Sequence, residues 1–147
     1  MAGRKRHLLV DTMGLIWGLA VLPASPTDWD GAVEVFRRAG VGLPRLAKVW
    51  ADANYRVNAL LGWIAANCRW VLEVVTGRPG QTTFEVQPMR WIVERTLGWF
   101  NRYRRLSKDY ETYPNNSETW ILVAMIHRML RSSDLDLLRR PPKRLTT

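Results

Sequence analysis

The stretch LAKVWAD, from Leu46 to Asp52, is a short apolar run that ends in a carboxylate. Such runs are typical of a central strand that is buried on both faces. A helix is predicted to follow from about Arg56 to Asn67. The next stretch, RWVLEVVT at 69–76, is rich in β-branched and aromatic residues and predicts another strand. Strand, helix and strand in this order indicate an α/β layer protein.

The flanking sequence extends this pattern in both directions. Two strands, Arg6–Asp11 and Leu15–Leu22, are separated by turn residues and predict an antiparallel hairpin. Helices are predicted from Thr27 to Ala39, from Pro88 to about Leu106, and again from Asn115. The resulting order predicts an α/β fold with a mixed sheet flanked by helices.

Composition restricts the class of protein. The 147 residues make about one domain, and 47% apolar with 24% charged residues is typical of a globular chain. Lys and Arg number 22 against 13 acidic residues, a formal charge of +9, which favours a polyanionic partner such as nucleic acid. The single cysteine, Cys68, excludes disulfide frameworks and cysteine-rich zinc sites.

The amino-terminal sequence superficially resembles a secretory signal. Its uninterrupted apolar part, from Met13 to Ala24, is only 12 residues long, which is too short to cross a bilayer. We therefore expect a cytoplasmic protein with no membrane partner.

Two carboxylates are the first candidates for chemistry. Asp52 follows the predicted buried strand, and α/β folds bind ligands at the carboxyl ends of their strands. Glu94 lies four residues after Arg90, so both share one face of the predicted helix. Each has a purely structural alternative, because Asp52 suits a strand-end cap and Arg90 with Glu94 suits a solvated ion pair.

Several blocks of sequence resemble the DDE transposases of bacterial insertion sequences, in the group with a ribonuclease-H-like catalytic domain. The similarity extends from about Gly3 to Arg131, nearly the whole chain. The blocks that carry it, in the order expected for that family, are RKRHLLVDT at 4–12, VWADANY at 49–55, RWIVERT at 90–96 and RRLSKDYE at 104–111.

The resemblance implies a ribonuclease-H-like mixed sheet and a catalytic triad of two aspartates and a glutamate. Asp52 matches the second aspartate, Glu94 matches the glutamate, and Arg90 matches the arginine that accompanies it. The family's first aspartate belongs to a strand that precedes the segment Lys5–Val10, so we expect the first strand to be missing here. Asp11 lies on the next strand and is not assigned to the triad.

Cleavage and transfer of DNA strands explain why such carboxylates are needed. Two Mg²⁺ ions about 4 Å apart can activate the attacking oxygen and stabilise the leaving oxygen. Carboxylates suit this hard cation, so the resemblance implies that Asp52 and Glu94 bind Mg²⁺, with Mn²⁺ as a substitute. With two of three carboxylates, we expect the isolated chain to be weakly active or inactive.

Basic residues surround Glu94, which is the only acid between positions 90 and 108. We expect them to contact the phosphates of double-stranded DNA, at the ends of the element and at its target. A solubilising surface is the alternative. The residues are Arg90, Arg95, Arg102, Arg104, Arg105 and Lys108. The family often has a basic residue seven positions after the glutamate, where this chain has Asn101, followed by Arg102.

Together these observations predict a partial transposase catalytic domain at 1–132 and a basic, disordered tail at 133–147. The partners expected besides DNA are a transposase half encoded in an upstream frame or a second copy, and the location expected is the nucleoid. The alternative function is a non-catalytic DNA-binding remnant, or an inhibitor that assembles with full-length transposase.

Overall fold

The computed structural model describes residues 3–40, 43–75 and 89–139, with side chains as far as residue 132. The elements are β1 (Arg4–Val10), β2 (Ile16–Pro23), α1 (Asp28–Ala39), β3 (Lys48–Asp52), α2 (Asn58–Asn67), β4 (Val71–Val75), α3 (Arg90–Phe100) and α4 (Pro114–Arg139), with a short 3-10 turn at Ala53–Tyr55. The α/β class is confirmed.

The strands form two small sheets. β1 and β2 are antiparallel, whereas β3 and β4 are parallel and in register from Lys48 opposite Val71 to Asp52 opposite Val75. Within the described ranges no strand pairing joins β1 or β2 to β3 or β4, and the single mixed sheet expected from sequence stays a prediction.

Helix α1 covers one face of both sheets. It begins at the predicted place, where Thr27 and Asp30 form a reciprocal capping box. Leu9 of β1 and Val49 of β3 belong to the same apolar cluster, which also contains Phe36 of α1. The two sheets therefore lie side by side and share contacts with α1.

Contacts at one end of α1 define the relative direction of β1 and β3. Lys5, near the start of β1, forms an ion pair of 2.9 Å with Asp28. Tyr55, just beyond β3, has its hydroxyl 3.4 Å from Nδ1 of His7, and burial next to Asp28 and Asp52 raises its pKa to about 12. The carboxyl end of β3 thus lies beside the amino-terminal half of β1, and the two strands run in opposite directions.

A second apolar cluster joins β2 to α3 and α4. Helix α3 ends at Phe100, although sequence periodicity predicted a helix to about Leu106. Phe100 and Leu106 are both buried, yet positions six apart lie about 120° apart around a helix axis. The turns that follow Phe100 bring both side chains into one core with Ile121 and Met125.

Helix α4 begins at Pro114, next to the predicted start, and the carboxylate of Glu118 in its second turn bonds to other elements. The Oε1 atom of Glu118 accepts hydrogen bonds from the backbone N–H of Val21 and from Nη1 of Arg38. Residues 133–139 continue α4, whereas a disordered tail was expected from residue 133. The rest of that tail, 140–147, lies outside the described residues, and the domain division stays a prediction.

Gly31 allows α1 to approach β1 closely. A Cβ atom at this position would overlap the imidazole of His7, whereas a Cβ at Gly98 in α3 would meet nothing within 4 Å. We expect Gly31→Ala to lower the free energy of unfolding by about 1–3 kcal/mol, because overpacking outweighs the better helix propensity of alanine. Gly98→Ala is the matched control and should raise it by about 0.5–1 kcal/mol in urea denaturation. Equal effects at both positions would contradict the close packing at His7.

His7 makes stability depend on pH near neutrality. Burial lowers its pKa below the ordinary value of 6.5, an effect that Asp28 opposes and Lys5 reinforces. Below that pH the unfolded chain binds more protons than the folded chain, so stability should fall as pH drops from 7.5 to 5.5. His7→Gln should remove this part of the dependence in thermal denaturation. An unchanged slope would show that another group is responsible.

Candidate active site and DNA-binding surface

A cleft of about 550 Å³ separates the two sheets, and we call it the inter-sheet cleft. Its walls are β1 with the residues that follow it, 6–12, and the whole of β3, 48–52. Helices α1 and α3 close the other two sides. Asp52, Glu94 and Arg90 all line this cleft, so the structure brings the predicted catalytic residues to one place.

Asp52 ends β3 and is half-buried. Its Oδ1 accepts a hydrogen bond of 2.9 Å from the backbone N–H of Asn54 and thereby caps the short turn that follows. The strand-end cap considered from sequence is therefore present. No other hydrogen bond to this carboxylate exists within the described part of the chain, so Oδ2 is available to a ligand.

Glu94 is exposed on the second turn of α3 and pairs with Arg90, whose Nε lies 3.1 Å from Oε1. Both side chains are more than half exposed, and exposed pairs of this spacing contribute only about 0.3–0.5 kcal/mol. The solvated ion pair considered from sequence is thus present as well. Because this ion pair is weak, separating Arg90 from Glu94 costs little free energy when a ligand competes for the carboxylate.

Asp11 also lines the cleft, but its oxygens serve the hairpin turn. Oδ1 accepts from the backbone N–H groups of Met13 and Leu15, and Oδ2 accepts from the indole N–H of Trp17 at 3.1 Å. Over the described ranges no group of three His, Cys, Asp or Glu residues is placed to hold a metal ion.

Arg95 differs from the other basic candidates because the protein encloses its guanidinium. It stacks on the rings of Trp91 and Trp99, at 4.6 Å and 5.0 Å from their centroids, and donates to the carbonyl of Met13. Arg128 of α4 lies 4.3 Å above the same Trp99 ring. The four-residue spacing of Trp91, Arg95 and Trp99 is a sequence signal from which this stack could have been inferred.

The turns at 101–109, which we call the basic turn segment, present the remaining cations to solvent. Arg105 pairs with Glu111 at 2.8 Å and stacks on Trp120. The side chains of Arg102, Arg104 and Lys108 are exposed and make no hydrogen bond or ion pair with described residues. These three are consequently available to an external anion.

Asp109 anchors this segment and received no role in the sequence analysis. Its carboxylate pairs with Arg4 of β1 at 3.2 Å and accepts a hydrogen bond of 2.7 Å from Ser117. Burial alone would raise the pKa of Asp109, but Ser117, the Glu111 backbone N–H and Arg4 together hold it below its usual range. No local pattern reveals a pair separated by 105 residues.

Comparison with known proteins identifies the family of this chain. A family model described as the transposase DDE domain matches residues 1–129, which include all four sequence blocks. The chain belongs to the transposase DDE domain family. The resemblance drawn from those blocks is therefore confirmed. No curated protein and no solved structure matches the chain.

Membership indicates the general activity of this transposase domain. Its family acts in transposition, and its substrate class is DNA. The excess of basic residues agrees with a polyanionic substrate. In the described residues no helix is long and apolar enough to cross a membrane.

Proposed function

We propose that this transposase domain contributes Asp52 and Glu94 to a site that cleaves and joins DNA strands. The observation that carries the proposal is their meeting on the inter-sheet cleft although 42 positions separate them in sequence. A carboxylate at a strand end and another on a facing helix suit a ligand that binds between the two elements. The ribonuclease-H-like arrangement implied by the family resemblance is part of this proposal.

The donor chemistry of the pair fits a hard divalent cation. Carboxylate oxygens are the ligands that Mg²⁺ and Mn²⁺ prefer, and both groups are accessible from the cleft. Once bound, the metal would supply activation of the attacking oxygen and stabilisation of the leaving oxygen. Arg90, beside Glu94, would hold a phosphate oxygen of the substrate. A third carboxylate would come from a transposase half encoded upstream or from a second copy.

The basic turn segment would hold the duplex. Its exposed cations follow α3, the helix that carries Glu94, so DNA bound there passes near the cleft. Contacts with phosphates are independent of base sequence and fix position on the duplex. A protein with this substrate would work on the nucleoid, in the cytoplasm.

A non-catalytic function is the second candidate. It is favoured by the structural roles of both carboxylates, since Asp52 caps a turn and Glu94 is in an ion pair. Such a protein would bind DNA, or would assemble with full-length transposase and inhibit it.

Nicking of supercoiled plasmid by the purified chain, with and without Mg²⁺ or Mn²⁺, separates these functions. A nick that needs the metal and is lost in both Asp52→Ala and Glu94→Gln supports the enzyme. Salt-sensitive DNA binding that is indifferent to both substitutions, without any nick, supports the binding protein.

A further inference from the structure

The turn between β1 and β2 is built around one aspartate, Asp11. Its Oδ1 accepts hydrogen bonds from the backbone N–H groups of Met13 and Leu15, at 2.9 Å and 3.0 Å. The backbone N–H of Asp11 donates to the carbonyl of Leu15, and its carbonyl accepts from the N–H of Gly14, each at 3.0 Å. Gly14 has a φ of 86°, which glycine adopts without strain. Residues 11–15, which we call the hairpin turn, are therefore closed by hydrogen bonds among themselves.

Helix α3 packs against the hairpin turn at its smallest residue. A Cβ atom on Gly14 would lie only 2.7 Å from Oγ1 of Thr96 and 3.2 Å from ring carbons of Trp99. The first distance is shorter than a van der Waals contact, so a side chain at position 14 would have to displace α3 or distort the turn. The turn and the helix thus touch with no room for a side chain between them.

Two consecutive side chains of α3 also bond to the hairpin turn. Thr96 is fully buried, and its Oγ1 lies 3.0 Å from the carbonyl oxygen of Gly14. The same Oγ1 lies 3.1 Å from the carbonyl oxygen of Ile92, one helical turn earlier. The guanidinium of Arg95 donates to the carbonyl of Met13 at 2.9 Å. Hydrogen bonds therefore reinforce the close packing of α3 on the turn.

These contacts leave the Glu94 side of α3 free. Successive residues of a helix are about 100° apart, so Thr96 lies about 200° from Glu94, on the opposite side of the helix. Glu94 lines the inter-sheet cleft, whereas Thr96 holds the helix to the sheet of β1 and β2. Asp52 belongs to the other sheet, of β3 and β4. The separation of the two carboxylates therefore depends on how α3 is placed on the hairpin turn.

We propose that the hairpin turn sets the position of Glu94 relative to Asp52, with Gly14 and Thr96 as positioning residues. Neither Gly14 nor Thr96 lines the inter-sheet cleft, so both act through the placement of α3. The consequence for metal binding rests on the proposed function. The placement of α3 itself can be measured without metal or DNA.

The distance between two spin labels reports this placement. One label is attached at Gly98→Cys on α3 and the other at Glu73→Cys on β4, in a chain whose single cysteine is replaced by Cys68→Ala. Gly98 lies four residues after Glu94, on the same face of the helix, and has open space around it. Double electron–electron resonance then gives the label distance in this parent chain and in its variants.

Two variants disturb the contact from its two sides. Thr96→Val removes the hydroxyl and keeps the shape of the side chain, whereas Gly14→Ala adds the overlapping methyl group. Each should shift the mean label distance by about 1 Å or more, a misplacement that can cost about 100-fold in rate. Thr96→Ser keeps the hydroxyl and should retain the parent distance. Thr119→Val is the matched control, because Oγ1 of Thr119 donates only within α4, to the carbonyl of Asn115 at 2.8 Å.

Titration with Mn²⁺, followed by the relaxation of water protons, measures the effect on the site. Thr96→Val without labels should bind Mn²⁺ about 10–100-fold more weakly, as is typical when a group that orients a metal ligand is lost. Thr96→Ser and Thr119→Val should bind it as the unsubstituted chain does. An unsubstituted chain that binds no Mn²⁺ would contradict the proposed function, and the label distances would still decide the positioning.

Two results would overturn the proposal. One is the parent distance in Thr96→Val with a lower midpoint of urea denaturation, which would make the contact purely stabilising. The other is a shifted distance with unchanged Mn²⁺ affinity, because the metal would then be bound regardless of the placement of α3. Near-ultraviolet circular dichroism checks that each variant is folded. If Gly14→Ala does not fold, the comparison of Thr96→Val with Thr96→Ser decides.

Discussion

Glu94→Gln is expected to reduce metal-dependent DNA nicking by at least about 100-fold. Groups that merely orient a metal ligand cost about 10–100-fold when they are changed, so loss of a direct ligand should cost more. Asp52→Ala should lower the nicking rate to the same extent, because both carboxylates line one cleft. The measurement is the initial rate of single nicks in supercoiled plasmid with Mg²⁺, repeated with Mn²⁺.

The matched control is Glu73→Gln, the same change on β4 at an exposed residue that does not line the cleft. It should leave the nicking rate nearly unchanged. DNA affinity should vary by less than about twofold in all three variants, because none of them removes a cation that contacts phosphate. A nick that survives Glu94→Gln would exclude this carboxylate from the site.

Neutralising the basic turn segment is expected to have the largest effect on binding. The triple variant Arg102→Gln, Arg104→Gln and Lys108→Gln removes three exposed cations that have no partner among the described residues. Each phosphate contact contributes about 0.9 to the slope of log K against log salt. The slope should therefore fall by about 2.7, and affinity at ~0.1 M salt by about 10²–10³-fold. Fluorescence anisotropy of a labelled duplex over a salt series measures both.

A second triple variant controls for the change in net charge. Arg37→Gln, Arg45→Gln and Arg69→Gln remove the same charge from exposed positions outside the basic turn segment. This variant should lose much less affinity, because long-range attraction is screened beyond about 10 Å. Equal losses of DNA affinity in the two triple variants would mean that affinity depends on the net charge of the protein. The basic turn segment would then be only a solubilising surface.

The helices, the strands and the positions of the two candidate carboxylates could be predicted because all of them depend on short-range sequence. Alternation, caps and turn residues act over a few positions, and Thr27 with Asp30 shows how fully a helix start can be specified locally. Asp52 and Glu94 could be placed at an element's end or face without knowing their neighbours. That both line the inter-sheet cleft follows from the packing of α3 on the strands, which no short window contains.

The features that sequence did not predict depend on distant residues. The end of α3 is set by the need to bury both Phe100 and Leu106 against α4 and β2. The carboxylate of Glu118 accepts a hydrogen bond from the backbone N–H of Val21, which lies 97 positions earlier in the chain.

The pairing of Arg4 with Asp109 has a consequence for synthesis on the ribosome. The chain emerges amino terminus first, so β1 and β2 leave the tunnel well before the segment that stabilises them. Closure across 105 residues is slow because its entropic cost precedes any favourable contact. Helix α1 can pack on one face of the nascent hairpin early, but the face that carries Leu19 and Val21 stays uncovered until the turns after α3 and helix α4 have been synthesised.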